Sequence, residues 1–217
     1  YFDRGTFYYA IMQYTSSAIQ DYTNAIKLKP GEANYYFYRG SAYSRLGNVD
    51  LAYTDLNKAI ELAPRDSSNY VARANILMNL MNKPELAIAD YNKAIELEPN
   101  AFNYMQRGAA YLLLEKKKLA DLDQSKAYEL LADDFSRRGD YDFAIKRYDD
   151  AIELKLGSAD LYYKRASVYA LKGDSKKALA DLRQAIKLDA SYKFKARKEQ
   201  KFNSIKNHSE FIKLVGK

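Results

Sequence analysis

Five arginines recur in this 217-residue chain inside one phrase, Tyr-x-x-Arg: Arg4, Arg39, Arg73, Arg107 and Arg165. A guanidinium presents five N–H donors in a rigid fork, so a repeated arginine either reads an anionic ligand or braces an internal carboxylate. Each has an aspartate downstream at a matching distance: Asp21, Asp55, Asp90, Asp123 and Asp181. One further unit breaks both halves together, with Leu131 where the arginine belongs and Arg147 where the aspartate belongs. Loss of both partners at once favours an ion pair inside each unit over a ligand reader.

No other residues assemble into chemistry. The single histidine, His208, stands near the C-terminus, and there is no cysteine, so no nucleophile–histidine set, zinc site or disulfide framework can be built. Phosphate loops and dinucleotide fingerprints are absent. The carboxylate pairs Asp133-Asp134 and Asp149-Asp150 are expected on solvated helix faces. The chain therefore reads as a non-enzyme, with no catalytic, cofactor-binding or metal residues.

The composition, 47% hydrophobic and 29% charged, is that of a globular chain. No apolar run approaches the ~20 residues of a membrane span. The net charge of +7 is concentrated at one end. From Tyr192 onward eight cations face two carboxylates, a net +6, so the body is nearly neutral and a nucleic-acid partner is disfavoured. The lack of cysteine fits reducing and oxidising compartments alike. The cytoplasm is favoured over export, although the chain starts inside a repeat and its native start is expected upstream of Tyr1.

The elements that must position the arginines follow from periodicity. The arginine phrase begins at Tyr1, Tyr36, Tyr70, Tyr104 and Tyr162. A second phrase, near Ala-Ile-x-Asp-Tyr, begins at Ala18, Ala52, Ala87, Ala120, Ala144 and Ala178, and another alanine follows each by seven residues. Small and apolar residues three, four and seven apart mark one face of a helix. Gly47-Asn48, Asn82-Lys83-Pro84, Gly139-Asp140 and Gly173-Asp174 interrupt the two phrases, and Pro30, Pro64 and Pro99 close the second helix. Each unit is thus helix A, tight turn, helix B.

This period resembles the tetratricopeptide repeat, most clearly in Tyr36, Arg39-Gly40, Tyr43, Gly47, Ala52, Leu56, Ala59 and Pro64. The resemblance implies an all-α fold, a right-handed α-α superhelix (solenoid) of about six helix pairs with a C-terminal capping region. The array is expected over residues 1–190, in units near 1–32, 33–66, 67–100, 101–124, 125–158 and 159–190, with a basic helical cap at 191–217. Gly5, Gly40, Ala74, Gly108, Ala132 and Ala166 fill one close-approach site, and Tyr8, Tyr43, Leu77, Tyr111, Phe135 and Tyr169 pack beside it. Most of the 21 tyrosines are assigned to such packing.

By the same resemblance, the inner faces of the A helices line a peptide-binding groove made of Phe2, Thr6, Asn34, Phe37, Ser41, Ser44, Val71, Asn75, Met78, Phe102, Met105, Ala109, Tyr163 and Ser167. Family members that grip acidic chaperone tails use a lysine–asparagine clamp. The corresponding residues here are Phe2, Thr6, Tyr38, Ser68 and Ala72, so that clamp is absent. In the fifth unit the groove turns acidic at Glu129 and Asp133. The expected function is a protein-interaction scaffold holding a peptide or protein segment. The alternatives are binding of nucleic acid or an anionic surface through the cap, and service as the targeting arm of a larger protein.

Two places depart from the pattern. The second phrase advances only 24 residues from Ala120 to Ala144 instead of 34. Either about ten residues of a loop are missing from the chain as given, which is the preferred reading, or one helix runs from roughly 117 to 138 and the stack splays or swaps between chains. Residues 191–217 offer two short helices, the second capped by Ser209, as a terminal unit that seals the array.

Overall fold

A computed structural model describes residues 1–10, 15–155 and 158–216, except for the side chains of residues 7–10, among which the expected packing role of Tyr8 falls. Among the described residues the regular structure is helical. The helices are α1 (Phe2–Ala10), α2 (Thr15–Leu28), α3 (Ala33–Arg45), α4 (Val49–Leu62), α5 (Ser67–Asn79), α6 (Pro84–Leu97) and α7 (Ala101–Leu113). They continue as α8 (Lys117–Arg138), α9 (Tyr141–Leu154), α10 (Ala159–Lys172), α11 (Ser175–Leu188), α12 (Tyr192–Lys198) and α13 (Ser209–Val215), with a 3-10 turn at Gln200–Phe202. The architecture is the helix-pair solenoid expected from the repeat. It divides into two bodies, Tyr1–Lys117 and Lys118–Lys217.

Small residues let the helices of a pair approach. Ala18, Ala52, Ala87, Ala144 and Ala178 on the B helices are all buried, as are their partners seven residues on. On the A helices, Gly5, Gly40 and Gly108 are buried alongside Ala74 and Ala166. At Gly40 a methyl group would come within 3.1 Å of the Ala52 carbonyl and 3.2 Å of Leu56, so the α3–α4 approach depends on its absence. Prolines end the B helices as expected. Two of the closing loops are also held from the next repeat, since the Tyr36 and Tyr70 hydroxyls donate to the carbonyls of Pro30 and Pro64.

Every A–B turn described needs one residue in the left-handed region. Gly47, Gly139 and Gly173 occupy it at φ of +76°, +85° and +89°. Asn82 and Glu115 occupy it at φ of 51° and 56°, in positions where a side chain is strained.

The short junction resolves into a single helix. α8 runs unbroken for 22 residues, about 33 Å. The chain as given follows the second reading, one helix across the junction, and the boundary expected at 124/125 falls inside α8. Its buried residues form two stripes, Ala120, Asp123, Ala127 and Ser125, Glu129, Ala132. At ~100° per residue these stripes lie on roughly opposite sides of the helix. An ordinary surface helix has one inward face, whereas α8 has two, because it carries the B phrase of one unit and the A phrase of the next. The second stripe packs on α9: Ala132 joins Ala144, Tyr148 and Ala151 in one core, and the Ser125 hydroxyl donates to the Ala151 carbonyl at 2.9 Å.

The C-terminal segment packs on the end of the second body. Ala196, Phe202, Ile205, Phe211 and Val215 share a core with Ala166, Ala170, Leu179 and Leu182 of α10 and α11. Arg197 donates to the Val215 carbonyl, which ties α12 to the end of α13. Ser209 does not cap α13. It is the first helical residue, His208 holds the cap position, and no side chain bonds the helix end there.

Candidate functional site

The repeated arginines brace their own units. Arg39 donates from Nε and Nη2 to the two oxygens of Asp55 at 2.7 and 2.8 Å. Arg73 grips Asp90 at 2.8 and 2.6 Å, Arg165 grips Asp181 at 2.7 and 2.8 Å, and Arg4 grips Asp21 at 2.8 and 2.7 Å. The bidentate fork holds helix A to helix B. The Arg4 guanidinium bonded to Asp21 holds that carboxyl below its ordinary value. Asp55 and Asp90 in turn raise the guanidinium pKa of their partners by hydrogen bonding, against the opposing effect of burial. Arg107 and Asp123 belong to different bodies, and Arg107 donates to Asn92 at 2.7 Å.

With the arginines committed to packing, the A-helix faces of the first body carry two adjoining recesses. One, of about 300 Å³, is lined by Phe37, Ser67, Ser68, Val71, Ala72, Asn75, Glu98, Asn100, Phe102 and Asn103. The other, of about 350 Å³, is lined by Ser41, Ser44, Leu56, Ala72, Asn75, Ile76, Asn79 and Leu80. Ala72 and Asn75 belong to both, so the recesses form a channel across α3, α5 and the start of α7.

Asn75 is held from behind. The Tyr91 hydroxyl of α6 donates to its Oδ1 at 2.6 Å, which leaves the amide N–H groups for the channel. Burial, then the neighbouring Asp90 charge, raises the Tyr91 phenol, keeping it a neutral donor. Asn100 and Asn103 are spent locally: Asn100 caps α7 through the Asn103 N–H, and the Asn103 amide donates to the Glu98 carbonyl. Glu98 accepts from the Ser67 hydroxyl at 2.7 Å and is the one charged side chain in the two linings.

The second body offers a different face. Glu129 and Asp133 do not form an open acidic lining, because Lys164 of α10 lies between them at 2.5 and 3.2 Å. Asp133 also accepts from the Tyr148 hydroxyl. Burial, then that hydrogen bond, raises the Tyr148 phenol well above its ordinary value. For Lys164 burial alone would lower the pKa, and the bond to Glu129 with the surrounding carboxylates raises it. Nor are the remaining carboxylate pairs simply solvated: Asp134 bonds Arg137 and Arg138, Asp149 bonds Arg165, and Asp150 bonds Arg147. Among the described residues no group of three histidine, cysteine or acidic side chains could hold a metal.

Of the residues named from sequence, the channel brings together Phe37, Ser41, Ser44, Val71, Asn75 and Phe102. Met78 is corrected to the core, where it packs with Ala74, Leu77 and Tyr91. Phe2 sits among Tyr22, Tyr35 and Tyr38, and the Thr6 hydroxyl donates to the Asp3 carbonyl. Asn34, Met105 and Ala109 lie outside both recesses. In the second body Ser167 is buried and donates to the Lys164 carbonyl, while Tyr163 packs on Tyr192 and Phe202. Sequence reasoning missed Asn79, Glu98, Asn100 and Asn103, which lie at helix ends outside the repeat phrases. The asparagine at 100 before an apolar run is a helix-start signal that could have drawn attention to that edge.

Comparison with known proteins agrees with this geometry. Models of the tetratricopeptide repeat match residues 33–66, 67–101 and 129–193. Human DnaJ homolog subfamily C member 3 is 25% identical over 193 residues, covering 89% of this chain and 36% of its own length. The Hsp70-Hsp90 organizing protein of Triticum aestivum is 29% identical over 189 residues, covering 81% of this chain and 32% of its own. The chain thus spans about a third of the length of these relatives. The C-terminal part of a TPR repeat-containing protein from Cytophaga hutchinsonii has the same fold, with a TM-score of 0.50 at 18% identity over 99% of this chain and 95% of that one. No helix among the described residues is long and apolar enough to cross a membrane. With three matched segments, paired helices braced alike and a shared fold, the chain belongs to the tetratricopeptide repeat family.

Proposed function

We propose that this chain is a non-enzymatic protein-interaction scaffold whose first body holds an extended peptide segment in the channel across α3, α5 and α7. The observation that carries this reading is Asn75, set at the junction of the two recesses and fixed by Tyr91 so that its amide donors serve the ligand. Donors of this kind suit the carbonyls of an extended backbone, and Phe37 with Phe102 suits one apolar side chain. Residues 1–190 act as the array and 191–217 as its cap. The wheat relative is named for two protein partners, which fits a polypeptide ligand.

An acidic tail is a poor fit for this channel. The clamp positions carry Phe2, Thr6, Tyr38, Ser68 and Ala72, and the guanidinium groups of Arg39 and Arg73 are committed to Asp55 and Asp90. Affinity capture with the intact chain, followed by identification of bound proteins, tests the reading. The Phe37→Ala, Phe102→Ala double variant is expected to lose the captured partner. Capture unchanged in a variant with normal melting would rule this channel out.

A further inference from the structure

Some cations of the second body are paired and others are not. Along α8 to α11, Lys126, Arg147, Lys164, Arg165 and Lys172 are tied to carboxylates. On the cap, Lys193, Lys195, Lys198 and Lys201 make no ion pair with any described residue. Two of these ammonium groups are nevertheless held in place. Lys195 lies 4.1 Å from the Tyr192 ring centroid and Lys198 lies 4.2 Å from that of Phe194. Phe194 itself is 60% exposed. It borders a recess of about 540 Å³ together with Tyr163, Lys195, Lys198, Glu199 and Gln200. Tyr163 is backed by Tyr192 at 4.8 Å and Phe202 at 5.4 Å, so one wall is firm and aromatic. The Glu199 carboxylate accepts the Lys201 backbone N–H at 3.1 Å, and in the lining it stands against the two lysines Lys195 and Lys198.

We propose that this recess is a second docking site, which takes an acidic peptide segment bearing one aromatic or large aliphatic side chain. The apolar side chain enters between Phe194 and Tyr163, and the flanking carboxylates meet Lys195 and Lys198, with Lys193 and Lys201 adding long-range attraction. A membrane surface fits less well, because insertion needs several apolar side chains on one face and in this recess Phe194 is the one exposed large apolar side chain. A nucleic-acid strand fits less well too: it needs successive stacking platforms, and here there is one exposed ring. The site lies in the other body from the channel, so this proposal goes beyond the channel reading and neither depends on the other.

The test uses the intact chain and a fluorescein-labelled peptide, Asp-Glu-Glu-Phe-Asp-Glu, read by fluorescence anisotropy at low and physiological ionic strength. Lys195→Glu with Lys198→Glu is expected to weaken binding by at least ~10-fold, and the milder Lys195→Gln, Lys198→Gln pair to weaken it in the same direction. Phe194→Ala, or alanine for phenylalanine in the peptide, is expected to cost about fivefold. The Phe37→Ala, Phe102→Ala variant is expected to bind this peptide normally. Unchanged affinity in a charge variant that melts like the parent overturns the proposal. So does equal affinity for the alanine peptide, or tighter binding of a single-stranded oligonucleotide of equal charge or of phosphatidylserine vesicles.

Discussion

Arg73 bonds Asn57 across the seam between two repeats, with Nη1 2.8 Å from Oδ1, while the other edge of the same guanidinium grips Asp90 in its own repeat. The relationship recurs. Arg39 reaches Thr23 at 3.2 Å, Arg107 reaches Asn92 at 2.7 Å and Arg165 reaches Asp149 at 2.5 Å. Each acceptor sits on the preceding B helix, so at Arg39, Arg73 and Arg165 one side chain closes a unit and registers it against its neighbour.

Removing that side chain strands a buried acid. Asp90 is 6% exposed, so Arg73→Ala is expected to lower stability by about 3 kcal/mol, well above a surface change. Asn57→Ala, which removes only the seam bond, is expected to cost about 1 kcal/mol. Urea denaturation of both variants checks the order. An Arg73→Ala loss no greater than that of Asn57→Ala would mean the fork contributes nothing beyond the seam.

Strain at Glu115 is removable. A left-handed residue with a side chain costs ~1 kcal/mol relative to glycine at the same place. Glu115→Gly is therefore expected to raise the melting temperature, and Gly47→Ala, at φ +76°, to lower it. Differential scanning calorimetry of the two variants reads opposite signs if the turn geometry is as described.

Alkali should unfold this protein through its tyrosines. Burial and the bond to Asp160 raise the Tyr192 phenol to about 12, and burial raises Tyr91 and Tyr148 as well, from an ordinary 10.0. The folded chain keeps protons that the unfolded chain releases near that ordinary value. Stability is full below it and declines as pH climbs from there towards the raised folded values. Urea midpoints measured across this range are expected to fall, and ultraviolet titration should show a late-ionising class of tyrosines.

The channel should feel a change made behind it. Tyr91→Phe leaves every lining residue in place but frees the Asn75 amide to turn. Capture of the channel's ligand is expected to weaken about fivefold, the scale of one lost hydrogen bond. An effect equal to that of Asn75→Ala would identify orientation as the whole contribution of this residue.

Much of the fold was legible because packing enforces spacing. Gly40 can only be small where the Ala52 carbonyl and Leu56 stand 3.1 and 3.2 Å from an added methyl, so the repeat keeps a glycine or alanine at this place. The arginine–aspartate pairing was legible for a related reason, since unit five lost both ends together. Glu115 was not, because glutamate carries no turn signal. Met78 was less legible because a methionine three residues beyond Asn75 can sit on either edge of the lining, and here it packs with Ala74, Leu77 and Tyr91. Glu98 and Asn103 escaped notice because they enter the channel from helix ends, where periodicity stops.

With two inward sides, α8 also sets which lengths of chain are permitted. One residue inserted between Ala127 and Glu129 would turn everything after it by ~100°, carrying Glu129, Ala132 and the α9 they pack on out of register with Ala120, Asp123 and Ser125. An insertion of seven residues would turn it by only ~20°, and Glu129 and Ala132 would keep their bearing. Elsewhere in the array loops can absorb an extra residue one at a time, but at this junction the chain can lengthen only in whole helical increments.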